Sequence, residues 1–269
     1  MRVAMLFCTL IFGMNALFRV YEVVPRKTKT LSYPSRPLNA PNETSQHIIS
    51  IPCKYILFAN GGKCGSTALF MYLETTFRGR ILDLKGKEHC FRRPPFHKCT
   101  REQPYVVDGC PRQWPSRKNG FSHLDELTTV VVLVRPQADK IQSLVNDKTS
   151  SGSVSSADAF AESHFRDIEN NFTHTWLESK KLYSKVIVVH RDDLLSTAGV
   201  REVLKRILPN EVQRPVLRPI HPNRFSQRDS RHRQLTLSLE MRWKIEEYFK
   251  DTNYDLYFKT GVYLTGDCT

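Results

Sequence analysis

The sequence predicts an α/β domain, with a doubly wound parallel sheet flanked by helices, on the strength of three observations. Four short runs of apolar and β-branched residues recur between residues 53 and 190, and stretches with helical spacing separate them. Continuous apolar runs are typical of strands that are covered on both faces. A glycine-rich turn also follows the first run directly. In such sheets ligands bind outside the carboxyl ends of the strands, so the loops there are the first place to look for a site.

The predicted strands cover residues 55–59, 105–107, 130–134 and 186–189. Apolar residues recur with helical spacing in several stretches between and after these strands. The predicted helical stretches are 69–77, 141–145, a long one at 157–182, 200–208 and an amphipathic last one at 235–248. This alternation of strand and helix predicts one domain over residues 53–269.

Two segments precede the predicted domain. Residues 1–24 contain an uncharged apolar run, 3–18, which is shorter than the roughly 20 residues of a spanning helix. It is predicted to be a signal-anchor or a cleaved signal peptide. Residues 25–52 have prolines among polar residues and are predicted to be a stem or linker. Either interpretation of the first segment places the domain in the secretory lumen, as do glycosylation sequons at Asn42 and Asn171.

The charge of the chain favours polyanionic partners. Its 40 Lys and Arg residues against 27 Asp and Glu residues give a net charge of +13. Nucleic acid, an anionic membrane, a nucleotide cofactor and an acidic polysaccharide are all partners of that kind. No run of basic residues stands apart as a nucleic-acid-binding arm, so nucleic acid is not the predicted partner.

Six of the seven cysteines lie beyond the apolar segment. An even number in an oxidising compartment allows disulfides, and the cluster Cys90, Cys99 and Cys110 is able to supply one bridge. Spacing does not fix the pairing. No CxxC pair occurs, so a structural zinc site is not expected.

The glycine-rich turn spans residues 60–67 and reads Asn-Gly-Gly-Lys-Cys-Gly-Ser-Thr. Glycines allow backbone N–H groups to turn toward a phosphate, and a helix N-terminus, a lysine and two hydroxyls add to its binding. A Walker A loop places its lysine directly before Ser or Thr, whereas here Lys63 precedes Gly65. The pattern indicates phosphate binding by a loop that is P-loop-like without being a Walker A motif.

Lys63 to Thr67 resembles the 5′-phosphosulfate loop of the sulfotransferases that use PAPS (3′-phosphoadenosine 5′-phosphosulfate), in their Golgi carbohydrate and heparan-sulfate branch. Gly62 stands where that family usually has proline, and the resemblance extends over about residues 53–261. It implies PAPS as the donor, with no metal required. The implied donor-binding residues of this loop are Gly62, Lys63, Cys64, Gly65, Ser66 and Thr67, and the implied catalytic role of Lys63 is to contact the sulfonate and the bridging oxygen.

A second element of this resemblance begins where the third predicted strand ends. Arg135 follows that strand, Lys140 comes five residues later and Ser143 eight residues later, as in the 3′-phosphate element of the family. An arginine fork and a hydroxyl suit a phosphate dianion. The basic loop that contains Arg228 sits where the family often closes over the 3′-phosphate.

Lys87 to Phe91 resembles the stretch that carries the catalytic base in the heparan-sulfate sulfotransferases. Glu88 is the base implied by this match, and His89 is its competitor because a histidine titrates near neutral pH. The resemblance thus implies sulfonate transfer to a hydroxyl or amine of a carbohydrate, and the net charge of +13 suits a polyanionic one. The resemblance also implies a single-pass Golgi membrane protein with a lumenal catalytic domain, or a secreted one.

Two other functions remain open from the sequence. A P-loop-type kinase would use ATP and an acidic Mg²⁺ ligand at a strand end, a place that Asp108 occupies. A glycan-binding protein on the same fold would keep the basic surface without catalysing transfer. Binding of the bisphosphate product or of ATP distinguishes the three.

Overall fold

A computed structural model describes residues 50–59, 62–82, 98–109, 122–150, 152–211 and 235–264. These residues belong to one compact unit that begins at His47. The predicted anchor segment lies outside the described residues, and among the described helices none is long and apolar enough to cross a membrane.

The strands confirm the four sequence predictions and add two short ones. In chain order they are β1 Ser50–Ile51, β2 Lys54–Ala59, β3 Cys99–Thr100, β4 Tyr105–Asp108, β5 Thr128–Val134 and β6 Lys185–His190. β1 and β3 form an antiparallel pair, so the last residues of the predicted linker are part of a strand. The other four strands form one parallel sheet in the order β4-β2-β5-β6.

This sheet explains the apolar runs in the sequence. All seven residues of β5 are buried, as are the last five of β2, because both strands lie inside the sheet and are covered on both faces. The chain leaves β2 toward β4 on one side and later continues through β5 and β6 on the other. The order therefore reverses between β2 and β5, the place where parallel α/β sheets bind ligands.

In the described part of the chain, six α-helices surround or follow the strands. They are α1 Ser66–Thr76, α2 Gln137–Ser150, α3 Ala157–His164, α4 Phe172–Lys180, α5 Thr197–Ile207 and α6 Leu239–Thr260. Most of the predicted helical stretches are confirmed. The α/β prediction is confirmed in its coarse form, a parallel four-stranded sheet flanked by helices.

The single long helix predicted over residues 157–182 is wrong. The structure divides it into α3 and α4, with a short 3₁₀ turn from Ile168 to Asn170 between them. The Asn171 side chain accepts a hydrogen bond from the His174 backbone N–H and so begins a new helix. The Asn170 amide donates to the carbonyls of His164 and Phe165 at the end of α3. Apolar residues keep helical spacing across this break, so the spacing did not reveal the Asn170 and Asn171 contacts that end one helix and begin the next.

Two hydrophobic clusters hold the described part of the chain together. The larger contains the buried residues of the sheet together with α1 and α5. The smaller joins α2, α3 and α6 through side chains such as Ile141, Phe165 and Phe249. Since α2 starts just after β5, this second cluster fixes the direction in which α2 leaves the sheet.

The structure pairs Cys99 with Cys53, not with a member of its own sequence cluster. Cys53 lies between β1 and β2, and Cys99 lies in β3, so the bridge joins the β1–β3 pair to the start of the sheet. Cys90 and Cys110 lie outside the described residues.

Removing this bridge is expected to destabilise the domain. The disulfide closes a loop of 46 residues, for which the chain-entropy relation gives about 4 kcal/mol. We therefore expect a Cys53→Ser/Cys99→Ser variant to unfold at clearly lower urea concentration than the wild-type chain. Urea unfolding with and without reductant measures this, and an unchanged midpoint would show that the bridge contributes no stability.

Candidate functional site

The two phosphate-type elements predicted from the sequence lie next to each other at the point where the strand order reverses. The glycine-rich turn follows β2 and Arg135 follows β5, and these strands are hydrogen-bonded neighbours. Nη1 of Arg135 donates to the backbone carbonyl of Lys63 at 3.2 Å. Residues 72 positions apart in the sequence therefore meet in one place, at the carboxyl ends of the strands.

The backbone of the turn is strained at Lys63. Its φ is 74°, and among the described residues it is the only non-glycine residue with positive φ. This conformation costs a non-glycine residue about 1–2 kcal/mol. Gly65 follows with φ 92° and avoids that cost. Strain that the surrounding structure maintains is frequent at ligand-binding loops, where it directs backbone N–H groups toward the ligand.

The turn leads into a helix whose first N–H groups have no side-chain cap. Gly65 is the N-cap of α1 and makes no side-chain hydrogen bond, and no acidic residue lies in the first turn. Four other helices do have a side-chain cap, which is Ser156 in α3, Asn171 in α4, Ser196 in α5 and Ser238 in α6. At α1 the partial positive charge of the helix N-terminus is left for an anion from outside.

Arg191 is a member of the site that the sequence analysis did not select. In the β5–β6 pairing His190 lies opposite Val134, so Arg135 and Arg191 leave the sheet side by side. Arg191 also packs beside the turn, because a Cβ built on Gly65 would lie 3.6 Å from its Cγ. Arg191 comes two residues after the predicted strand 186–189 and directly after β6, and this position near a strand end was the available signal.

The electrostatics of the site favour an anion. Burial lowers the pKa of the Arg135 guanidinium and the adjacent charge of Arg191 lowers it further, while the carboxylates of Asp139 and Asp192 partly offset these effects. Nε of Arg135 is buried and has no hydrogen-bond partner in the described part of the chain. Holding two guanidinium groups together is unfavourable unless a negative charge offsets them, and such perturbed groups are concentrated at functional sites.

The Lys63 side chain reaches from the glycine-rich loop to α2. Its Nζ is 3.0 Å from a carboxylate oxygen of Asp147, and its side chain is 29% exposed. Ser143 is half-buried and one helical turn before Asp147, so both residues lie on one face of α2. The Asp147 contact brings this face of α2 next to Lys63, and Ser143 lies on the same face one turn nearer the start of the helix.

Lys140 does not join the site as its position in the sequence predicted. It is completely buried, its Nζ donates to the Glu169 carbonyl at 2.8 Å, and burial lowers its pKa. The ammonium is thus already bonded inside the protein. Its positive charge lowers the pKa of the Cys64 thiol, against the larger raising effect of burial.

Cys64 enters the site through its backbone. Its thiol is fully buried and unpaired to another cysteine, and burial raises its pKa despite the neighbouring cations Lys140, Arg135 and Arg191. Ser66 is also buried, at the first position of α1, and Thr67 is half-buried beside it. A Cβ on Gly62 would meet no atom within 4 Å, so the turn has open space on that side.

Three predicted site residues, Glu88, His89 and Arg228, lie outside the described residues, as does Gly61. Asp108, the acidic residue of the kinase alternative, ends β4 and is fully buried. β4 and β5 flank β2 on opposite sides. Asp108, at the end of β4, and Arg135, after β5, therefore lie on opposite sides of the strand that leads into the glycine-rich loop.

The chain matches no protein-family model, and a search of curated proteins finds no match either. The described residues bring together a glycine-rich loop, the N-terminus of α1 and three cationic side chains, Lys63, Arg135 and Arg191, at the reversal point of the parallel sheet.

Proposed function

We propose that this chain is a PAPS-dependent sulfotransferase with a P-loop-like fold that transfers a sulfonate group to a hydroxyl or amine of a carbohydrate. The observation that carries the proposal is the contact of Arg135 with the Lys63 carbonyl, beside Arg191. This contact places the glycine-rich loop and a second group of positive charges together at the carboxyl ends of the strands. PAPS carries a phosphate at the 3′ position and a phosphosulfate at the 5′ position of its ribose, so a PAPS site needs a binding element for each.

In the proposed complex, the turn and the N-terminus of α1 bind the 5′-phosphosulfate through backbone N–H groups and the Ser66 and Thr67 hydroxyls. Arg135 and Ser143 bind the 3′-phosphate. Arg191, at the end of β6, adds positive charge beside them. These charges are fixed before the donor arrives, so they require little reorganisation during the reaction.

Transfer is an in-line displacement at sulfur. An acceptor oxygen or nitrogen forms a bond to sulfur while the bond from sulfur to the bridging phosphate oxygen breaks, and the bisphosphate leaves with that electron pair. Lys63 stabilises the negative charge that develops on the bridging oxygen. Glu88 or His89 takes the proton of the acceptor, as the resemblance implies.

Lys63 must exchange partners for this reaction. In the ligand-free chain its ammonium pairs with Asp147, and both side chains are partly exposed, at 29% and 46%. Ion pairs of that exposure contribute only about 0–1 kcal/mol. The phosphosulfate group therefore has little to overcome when it draws Lys63 away from α2.

A lumenal location and a glycan acceptor fit the rest of the chain. The Cys53–Cys99 bridge supports an oxidising compartment such as the Golgi lumen. The net charge of +13 suits an acidic glycan. We propose that residues 1–24 anchor the protein in the Golgi membrane, or direct its secretion if they are cleaved.

Nucleotide preference tests the proposal. Calorimetric titration of the lumenal portion with 3′-phosphoadenosine 5′-phosphate (PAP), and separately with ATP and Mg²⁺, is expected to show tighter binding of PAP. Preference for ATP would instead support a kinase. Binding of neither nucleotide would support a glycan-binding protein without donor chemistry.

Replacing Gly65 by alanine is expected to weaken PAP binding. A Cβ at this position would lie 3.2 Å from Leu194 Cδ1, on a backbone with φ 92°. The strain of about 1–2 kcal/mol moves the turn away from its binding geometry. Titration of Gly65→Ala with PAP measures the loss, which is about 5- to 30-fold if the strain energy is taken wholly from binding.

Gly79→Ala is the matched control for this substitution. Gly79 has a similar φ of 85°, and a Cβ there meets nothing within 4 Å. The two variants should lose comparable stability in urea unfolding, while only Gly65→Ala loses affinity for PAP. Equal PAP affinity in both would exclude a role for the turn in binding.

A further inference from the structure

A cleft separate from the donor site lies along the outer side of the sheet. It has a volume of about 370 Å³, and its described lining residues are Trp176, Lys180, Val186, Val188, Arg206, Lys259 and Thr260. Val186 and Val188 belong to β6, the last strand of the described sheet on this side. β6 is two strands from β2, a lateral distance of roughly 10 Å.

The charge of this cleft is positive and only partly neutralised. Of its described lining residues, three are cationic and none is acidic. Arg206 Nη2 donates to the Val188 carbonyl at 2.9 Å, and Lys180 Nζ donates to the Ser184 carbonyl at 3.2 Å. In the described part of the chain these contacts are with carbonyls, so neither cation has a carboxylate partner. Lys259 does pair with Asp255, at 2.6 Å.

The shape and lining of the cleft suit a sugar. Trp176 lines it while packing against the main hydrophobic cluster, so the ring is held in place. A fixed aromatic surface with a few convergent polar groups is typical of small-ligand sites of ~300–1,000 Å³. The Arg206 guanidinium is held by the edge of β6, which leaves its other N–H groups to bond a sulfate or carboxylate.

We propose that this cleft binds an acidic saccharide unit, sulfated or carboxylated, at a distance from the point of sulfonate transfer. The proposal rests on the proposed function, since it makes the cleft a second contact for the same polymeric acceptor. A chain that reaches both places gains affinity because the second contact forms within one complex. Recognition at the cleft would select acceptors that are already acidic and several sugars long.

A heparin octasaccharide titrated into the donor-free protein at physiological salt tests this proposal. A Lys180→Ala/Lys259→Ala variant is expected to bind it about tenfold more weakly, as two partly exposed ionic contacts imply. The matched control is Lys181→Ala/Lys250→Ala, which makes the same charge change directly after α4 and within α6. Lys181 and Lys250 are also exposed and ion-paired, to Glu178 and Glu247, but neither lines the cleft.

Two further readouts separate the possible results. Saccharide addition should change tryptophan fluorescence in the wild-type chain, and the change should be smaller in Trp176→Phe. PAP affinity should be equal in all these variants, because the cleft is not the donor site. Equal octasaccharide affinity in the two double variants would overturn the cleft proposal. If the wild-type chain did not bind PAP at all, the proposed function would be overturned instead.

Discussion

Replacing Lys63 by alanine is expected to lower the rate of sulfonate transfer by about 10²–10³-fold, the usual effect of removing one group that stabilises charge in a transition state. The reason is that negative charge grows on the bridging oxygen only as the bond to sulfur breaks. PAP lacks the sulfonate, so its affinity should fall much less than the rate. Turnover of PAPS on a glycan acceptor, compared with calorimetric PAP affinity, measures the two effects separately.

Lys205→Ala is the control for this change. Lys205 is an exposed lysine of α5, so the variant has the same net charge without touching the loop. It should turn over like the wild-type chain. If Lys63→Ala lost affinity and rate in equal proportion, Lys63 would be a binding residue without a specific part in the transition state.

Replacing Arg135 by alanine is expected to weaken PAP binding by about 10²-fold, because the change removes a partly buried, hydrogen-bonded charge. The guanidinium is placed to serve the nucleotide in two ways. It holds the loop through the Lys63 carbonyl, and its charge lies beside Arg191 at the proposed 3′-phosphate position. The ratio of PAP affinity to 5′-AMP affinity distinguishes the two, since 5′-AMP lacks the 3′-phosphate.

If Arg135 binds the 3′-phosphate, that ratio should fall toward one in the alanine variant. If Arg135 acts only on the loop, both nucleotides should lose affinity equally and the ratio should not change. Arg135→Lys keeps the charge without the planar fork, so intermediate affinity is expected. Arg166→Ala removes an exposed arginine at the end of α3 and should leave the ratio unaltered.

The strands were the most predictable part of the fold. β5 and β2 are buried on both faces, and that burial requires the continuous apolar runs that the sequence displays. The division of residues 157–182 was missed because it depends on the Asn171 cap, which apolar periodicity does not reveal. The Cys53–Cys99 pairing depends on the alignment of β1 with β3, strands of two residues each that carry almost no pattern of their own.

The residues of the candidate site were predictable where they belong to a short sequence motif and not where only the fold brings them to the site. Lys63, Gly65 and Arg135 were predicted because each belongs to a short motif at the end of a strand. Arg191 and Asp147 were missed because their part arises only from the strand order and from the direction of α2. Lys140 had the right spacing, yet its side chain turns inward to the Glu169 carbonyl, and spacing along a helix does not exclude that.

The most direct test of the proposed donor site locates the bound nucleotide on the chain. Amide hydrogen exchange of the chain, with and without PAP, compares peptides over residues 62–70 and 135–143 with a peptide over 197–207 in α5. We expect PAP to slow exchange in the first two and to leave the third unchanged. Unchanged exchange in both 62–70 and 135–143 at saturating PAP would contradict a donor site at the reversal point between β2 and β5.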